Sequence, residues 1–237
     1  MNDIIELFRL PKKAQVNQRV FTKDIVASAD AKGKEKTLLE KSISTVYLVG
    51  VLNESTTGLW AFDDGNYMYR EIQVYLIALK DASKVKSLNE ELQRIFPNPA
   101  VMIYKYENQY MIGTAMKRLN KVERGKTVID SLQTTSWFTL DEPHKSLIER
   151  IDYNRKNLKD LYEYIDYVAS AEYVLRVTKR IPEIIDFSIK SKSVMIQRLV
   201  EERNKLLDQE DDESSMQGKM RCHMKILEIE QKLETFR

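Results

Sequence analysis

The segment from residue 69 to residue 106 changes its apolar period twice, and this pattern constrains the fold more than any other part of the chain. Apolar residues recur at every second position over 72–78, which is typical of a strand. They recur at three- and four-residue spacings over 85–95, which is typical of an amphipathic helix. The prolines of the 96–99 segment end that helix because neither can continue it, and another apolar run follows at 101–106. The order strand, helix, strand is therefore predicted.

The sequence on either side of this unit adds strands and short helices. Residues 45–52 form a compact apolar run, which we expect to be a buried strand. Residues 104–115 alternate around Glu107-Asn108, and asparagine tolerates the positive φ that tight hairpin turns need. Short amphipathic helices are expected within residues 2–43. The predicted fold class is α+β, with a small mixed or antiparallel sheet and packed helices over residues 1–140.

Beyond residue 140 the apolar pattern is helical throughout. Residues 141–182 are predicted to form connecting helices. Residues 183–237 carry heptad-like seams on either side of a polar break, which predicts a coiled-coil-like helical hairpin whose helices pair within one chain or between two. The seam residues expected to contact a partner are Leu199, Leu206, Ile226 and Leu233. The tyrosines expected to add to that surface are Tyr162, Tyr164, Tyr167 and Tyr173.

The composition excludes several classes of protein. The net charge of +2 over 237 residues provides no global field toward nucleic acid, so any basic patch must be local. One cysteine and two histidines exclude an internal disulfide and argue against a structural zinc site. No apolar run approaches the length needed to span a membrane. We expect a cytoplasmic protein with no signal peptide, no membrane anchor and no cofactor.

Residues 53–66 are predicted to form a long connection. A loop of this length within a compact domain is usually either functional or disordered. We expect Trp60 and Phe62 to hold it against the core. Asp64 lies in this connection, and Glu71 and Gln73 share one face of the following strand. Such oxygens can hold Mg²⁺ in a restriction-type nuclease. We expect no catalytic residue and no metal site, but Asp64, Glu71 and Gln73 are the candidates if the chain is a nuclease.

The densest group of cations follows the predicted hairpin. Its members are Lys117, Arg118, Lys121, Arg124 and Lys126. A solvated loop explains such a group. The alternative is a surface that contacts DNA phosphates, with nearby tyrosines as stacking groups. The sequence leaves both interpretations open.

Several phrases of the sequence together resemble a known family. They are Leu7–Pro11 (LFRLP), Glu71–Val74 (EIQV), Ile95–Pro99 (IFPNP), Ala115–Asn120 (AMKRLN) and the charged helical segment that closes the chain. With these phrases in this order, nearly the full chain resembles the bacterial family called domain of unknown function 4391. The resemblance implies a gene found beside DNA methyltransferases and helicases in restriction or phage-defence loci, and it implies no assigned reaction.

From these observations we expect a non-enzymatic accessory protein. It would dock to a DNA-processing partner, a helicase or methyltransferase of the same locus, through its C-terminal helices. Two alternatives remain, namely a metal-dependent nuclease subunit and a DNA-binding module without catalysis.

Overall fold

The protein is described by a computed structural model that covers residues 3–123 and 126–236. The strands are β1 (Gln15–Val20), β2 (Ile43–Asn53), β3 (Phe62–Asp63), β4 (Met68–Tyr69), β5 (Glu71–Leu79), β6 (Ala100–Tyr106), β7 (Gln109–Leu119) and β8 (Thr127–Thr134). The helices are α1 (Asp3–Leu7), α2 (Thr22–Ser28), α3 (Gly33–Ser42), α4 (Glu54–Thr57), α5 (Val85–Ile95), α6 (Glu142–Ile148), α7 (Leu158–Thr178), α8 (Ser188–Asp212) and α9 (Met216–Glu234). The chain forms two compact units, Met1–Ala169 and Ser170–Arg237.

A six-stranded mixed sheet, in the order β1-β2-β5-β6-β7-β8, forms the centre of the first unit. β5 and β6 are parallel and are connected through α5, whereas the other neighbouring strands pair antiparallel. β3 and β4 form a separate two-stranded sheet. The predicted α+β class and the predicted strand, helix, strand unit are both confirmed.

The helix α5 packs on the sheet through the stripe that its sequence predicts. Leu88 and Leu92 are fully buried and belong to one apolar cluster with Met102 and Tyr104 of β6. Burying one leucine side chain stabilises a fold by roughly 1.5–3 kcal/mol. The residues that the helical pattern predicts to face the sheet are therefore the ones that the fold packs into this apolar cluster.

A glycine allows α5 to approach β7 closely. Asn89 of α5 is fully buried, and its Oδ1 accepts a hydrogen bond from the Tyr104 hydroxyl at 3.1 Å. A Cβ atom on Gly113 of β7 would lie only 2.2 Å from that same Oδ1. Real Cβ atoms essentially never come so close to another heavy atom. Gly113 is therefore the residue that makes room for the Asn89 amide.

Tyr162, in the part of α7 that belongs to the first unit, is fully buried and bonds to the backbone of β6 and β7. Its hydroxyl oxygen accepts a hydrogen bond from the Ala115 amide at 2.9 Å. The hydroxyl lies 2.9 Å from the Ala100 carbonyl and 3.1 Å from the Ala115 carbonyl, so it can donate to either. The expectation that Tyr162 belongs to an exposed contact surface is wrong.

Two other features of the first unit differ from the sequence prediction. The sequence does not predict β1, because its residues do not alternate between apolar and polar. β1 lies at the edge of the sheet, where five of its six side chains are exposed. Trp60 is 70% exposed, so the expectation that it holds the 53–66 connection against the core is wrong. That connection instead contains α4, whose first turn Asn53 caps by accepting a hydrogen bond from the Thr56 amide.

The second unit is helical, as predicted for the C-terminal region. α8 and α9 pack against one another and are connected by residues 213–215. Ser215 caps α9 by accepting a hydrogen bond from the Gly218 amide at 3.0 Å. Supercoiling of the two helices stays a prediction.

Among the described helices, none is long and apolar enough to cross a membrane.

Candidate functional site

Glu71 and Gln73 lie at the start of β5 in a closed network of side chains. The Gln73 amide donates to Glu71 Oε1 at 2.7 Å, and the Asn98 amide donates to the same oxygen at 3.3 Å. The Tyr75 hydroxyl donates to Gln73 Oε1 at 2.8 Å. Two amides therefore occupy one oxygen of the Glu71 carboxylate, and a metal ion at that oxygen would have to displace both of them.

Asp64 serves as a turn residue. Its Oδ1 accepts hydrogen bonds from the backbone amides of Tyr67, at 2.7 Å, and Asn66, at 2.9 Å. These two bonds, that of Tyr67 first, lower the pKa of the Asp64 carboxyl. Within residues 3–123 and 126–236, no group of three or more His, Cys, Asp or Glu side chains is placed to hold a metal ion. The three candidates Asp64, Glu71 and Gln73 are thus engaged in hydrogen bonds within the chain, and the nuclease alternative stays a prediction.

The structure separates Lys117 from the other cations of its group. Its side chain is buried, with the residue only 2% exposed, and its ammonium donates to the carbonyls of Phe96 and Asn98. Phe96 is the C-cap of α5, so the ammonium lies at the helix end where a cation is favourable. Burial lowers the pKa of Lys117 to about 7. Lys117 is thus part of the interior.

The remaining cations of the group do not form one open surface. Arg118 is half-buried, with its Nε 3.8 Å from Asp130 Oδ1, and Lys126 pairs with Glu123. Lys121 is exposed. Arg124 lies outside the described residues. Binding of nucleic acid by this group stays a prediction, and Lys117 would contribute to it only after leaving its buried position.

A second basic feature was not singled out from the sequence. A groove of about 550 Å³ runs between α3 and the segment 81–84, and its lining includes Lys34, Lys41 and Lys84. None of these three ammoniums forms an ion pair with a described carboxylate. Asp81 also lines the groove, but its carboxylate accepts a hydrogen bond from the Ser83 amide at 2.8 Å. The sequence signal for this groove is the charge of the first 44 residues, which contain nine Lys or Arg and six Asp or Glu.

The four predicted partner-binding residues are largely covered within the second unit. Leu206, Ile226 and Leu233 are buried, and Leu199 is half-buried. Because α8 packs against α9 in the same chain, these side chains serve first to hold the unit together. Binding of a partner by these four residues stays a prediction.

A different set of apolar side chains is exposed on α9. Exposure is 86% for Met216, 64% for Met220, 56% for Met224 and 40% for Leu227. Their spacings of four, four and three residues place them on one face of the helix, away from the buried Ile226 and Ile229. We call these four residues the methionine face. Two stripes of helical period are present in α9, and the sequence alone does not say which one is buried.

The segment of α9 that carries the methionine face is basic. Residues 216–227 contain Lys219, Arg221 and Lys225, and they contain no Asp or Glu. A surface of apolar side chains with basic neighbours favours a ligand that offers apolar groups bordered by carboxylates.

Comparison with known proteins identifies a family for nearly the whole chain. The family model described as "Domain of unknown function (DUF4391)" matches residues 8–233. No curated protein and no solved structure matches the chain significantly. The family match covers nearly the full sequence, including the sheet, the buried Lys117 and both C-terminal helices. The chain therefore belongs to the family of domain of unknown function 4391.

Proposed function

We propose that this protein is a non-enzymatic accessory component that docks to a DNA-processing partner through the methionine face. The proposed partner is a helicase or methyltransferase of a restriction or phage-defence system, and the proposed site of action is the cytoplasm. The observation that carries the proposal is the row of four exposed apolar side chains on α9. Contiguous exposed apolar patches mark interaction sites in soluble proteins, and methionine is used at such sites because its side chain adapts to the partner.

The charges beside the methionine face favour a different protein over a second copy of the chain. If two methionine faces packed on each other, the basic segments 216–227 of the two copies, each with three cations and no Asp or Glu, would lie side by side. Like charges across an interface cost binding energy. The proposed partner surface therefore carries apolar side chains flanked by Asp and Glu.

The double substitution Met220→Glu/Met224→Glu is expected to weaken binding of the partner at least 100-fold. Two buried methionines contribute roughly 3 kcal/mol or more to an interface, and each 1.4 kcal/mol is about a factor of ten in Kd. The measurement is calorimetric titration of the full chain with the purified helicase or methyltransferase encoded beside it. Because both positions are exposed, the urea unfolding midpoint should stay unchanged.

The matched control is Val194→Glu/Met195→Glu, which adds the same charge at two exposed apolar positions of α8. It should bind the partner as the native chain does. Equal binding by the α9 variant and the native chain would refute docking at the methionine face. So would a native dimer, measured by light scattering, that the α9 variant dissociates.

A second candidate function, contact with a DNA backbone, is favoured by the groove beside α3. Lys34 and Lys41 are seven residues apart, hence roughly 10 Å along the helix axis. One strand of B-DNA carries one phosphate per about 3.4 Å of duplex axis, so two ammoniums this far apart would contact different phosphates. Among the described residues, no aromatic side chain lines the groove, so we propose contact with phosphates that is independent of base sequence.

The triple substitution Lys34→Ala/Lys41→Ala/Lys84→Ala is expected to abolish weak binding of duplex DNA. For the native chain, log K should fall with log salt with a slope of about −2.7 if all three lysines contact phosphates. Fluorescence anisotropy with a labelled duplex over a salt series measures both quantities. The matched control is Arg118→Ala/Lys121→Ala/Lys126→Ala, which removes the same charge. Loss of binding in the control alone would assign the contact to the other cation group instead.

A further inference from the structure

The second unit contains a pocket of about 430 Å³ that none of the proposals above uses. It lies among the last turns of α7, the middle of α8 and the end of α9, all within residues 170–237. Three cations line it, namely Arg176, Lys179 and Arg203. None of the three forms an ion pair with a described carboxylate, although Glu230 and Glu234 also line the pocket.

Arg203, a residue of the pocket lining, carries a buried donor that has no acceptor in the part of the chain that the structure describes. Its Nε atom is buried and has no hydrogen-bond partner among the described residues. One of its terminal nitrogens donates to Asn204 Oδ1 at 3.3 Å. A buried donor on a charged group is costly when it has no acceptor, and native structures rarely retain one without a water, ion or ligand to accept it.

The chemistry of the lining residues indicates which class of ligand the pocket would accept. A guanidinium presents a planar fork of donors that matches a carboxylate or phosphate group. Val177, Ile196, Val200 and Leu233 form an apolar part of the wall. The two glutamates oppose a ligand with several negative charges. We propose that this pocket binds a small amphipathic oxyanion, with one carboxylate or phosphate head at Arg203 and Arg176 and a short hydrocarbon tail against the apolar wall.

The experiment is calorimetric titration of the full chain with four probes: hexanoate, hexyl phosphate, inorganic phosphate and hexylammonium. One of the two hexyl anions should bind at a single site, and the tighter of them identifies the head group. Inorganic phosphate should bind at least tenfold more weakly than hexyl phosphate, because it lacks the tail. Hexylammonium should not bind. Equal binding of hexylammonium, or no binding of either hexyl anion, would overturn the proposal.

Variants locate the site. Arg203→Gln should weaken binding of the preferred hexyl anion at least tenfold, whereas Arg198→Gln, at an exposed position of the same helix, should bind as the native chain does. If Arg203→Gln fails to fold by circular dichroism, Arg176→Gln takes its place with the same expectation. Native-like affinity in the folded variant would refute the site. Met220→Glu/Met224→Glu should bind the anion normally, which separates this pocket from the methionine face.

Discussion

Replacing Tyr162 by Phe is expected to lower the free energy of unfolding by about 3 kcal/mol, because the backbone between β6 and β7 loses its side-chain partner. The Ala115 amide would have no acceptor for its hydrogen, and whichever of the Ala100 and Ala115 carbonyls accepts the hydroxyl hydrogen would lose that donor. Each buried group left unsatisfied costs roughly 1–3 kcal/mol. The Gln93 amide also donates to the Ala100 carbonyl, at 3.0 Å, and this bond limits the loss there.

Urea unfolding followed by circular dichroism measures this effect, with Tyr153→Phe as the matched control. Tyr153 is also largely buried, but its hydroxyl donates to a single carbonyl, that of Phe8, at 2.8 Å. The control should therefore lose about 1 kcal/mol. If the two variants lose the same free energy, the Tyr162 hydroxyl does not bridge the strands in the way described.

Raising the pH from 7.5 to 9.5 is expected to stabilise the native chain by up to about 3 kcal/mol through Lys117. Burial lowers the pKa of Lys117 to about 7 in the folded chain, while an unfolded lysine has a pKa of about 10.4. Between these values the unfolded chain binds one more proton than the folded chain. Stability therefore rises with pH by about 1.4 kcal/mol per unit in this window. Below pH 7 both states are protonated and this contribution stops changing.

The test compares the pH dependence of unfolding of the native chain with that of Lys117→Met, whose side chain is also unbranched and cannot titrate. Subtracting the two unfolding curves removes the titration of cysteine and tyrosine. The difference should have a positive slope from pH 7.5 to 9.5. Parallel pH profiles would show instead that the carbonyls of Phe96 and Asn98 keep Lys117 charged at a near-normal pKa.

The sheet could be predicted where the sequence period was strong. The sequence of β5 alternates, that of α5 has a helical apolar stripe, and two prolines separate α5 from β6. Most apolar residues of these patterns are buried in the fold. β1 has no such signal because an edge strand leaves most of its side chains in solvent. Its pairing with β2 is a tertiary contact that its own sequence does not encode.

The candidate sites were harder to predict, because burial of a polar side chain depends on elements distant in the chain. Lys117 stands beside four other cations in sequence, yet the end of α5 covers it and supplies its acceptors. The α9 helix offers two apolar stripes, and only the packing of α8 decides that Ile226 is buried while Met220 is exposed. The local sequence pattern therefore shows which positions are basic or apolar, but only the packing of distant elements decides which of them are buried.

The close approach of α5 to β7 links two positions of the sequence to each other. An alanine at position 113 is compatible with this backbone only if residue 89 is too short to reach the strand, and an asparagine at 89 requires glycine at 113. Relatives that keep the same helix position should therefore exchange these two residues together. Such paired replacement would mark 89 and 113 as a correlated pair within the family.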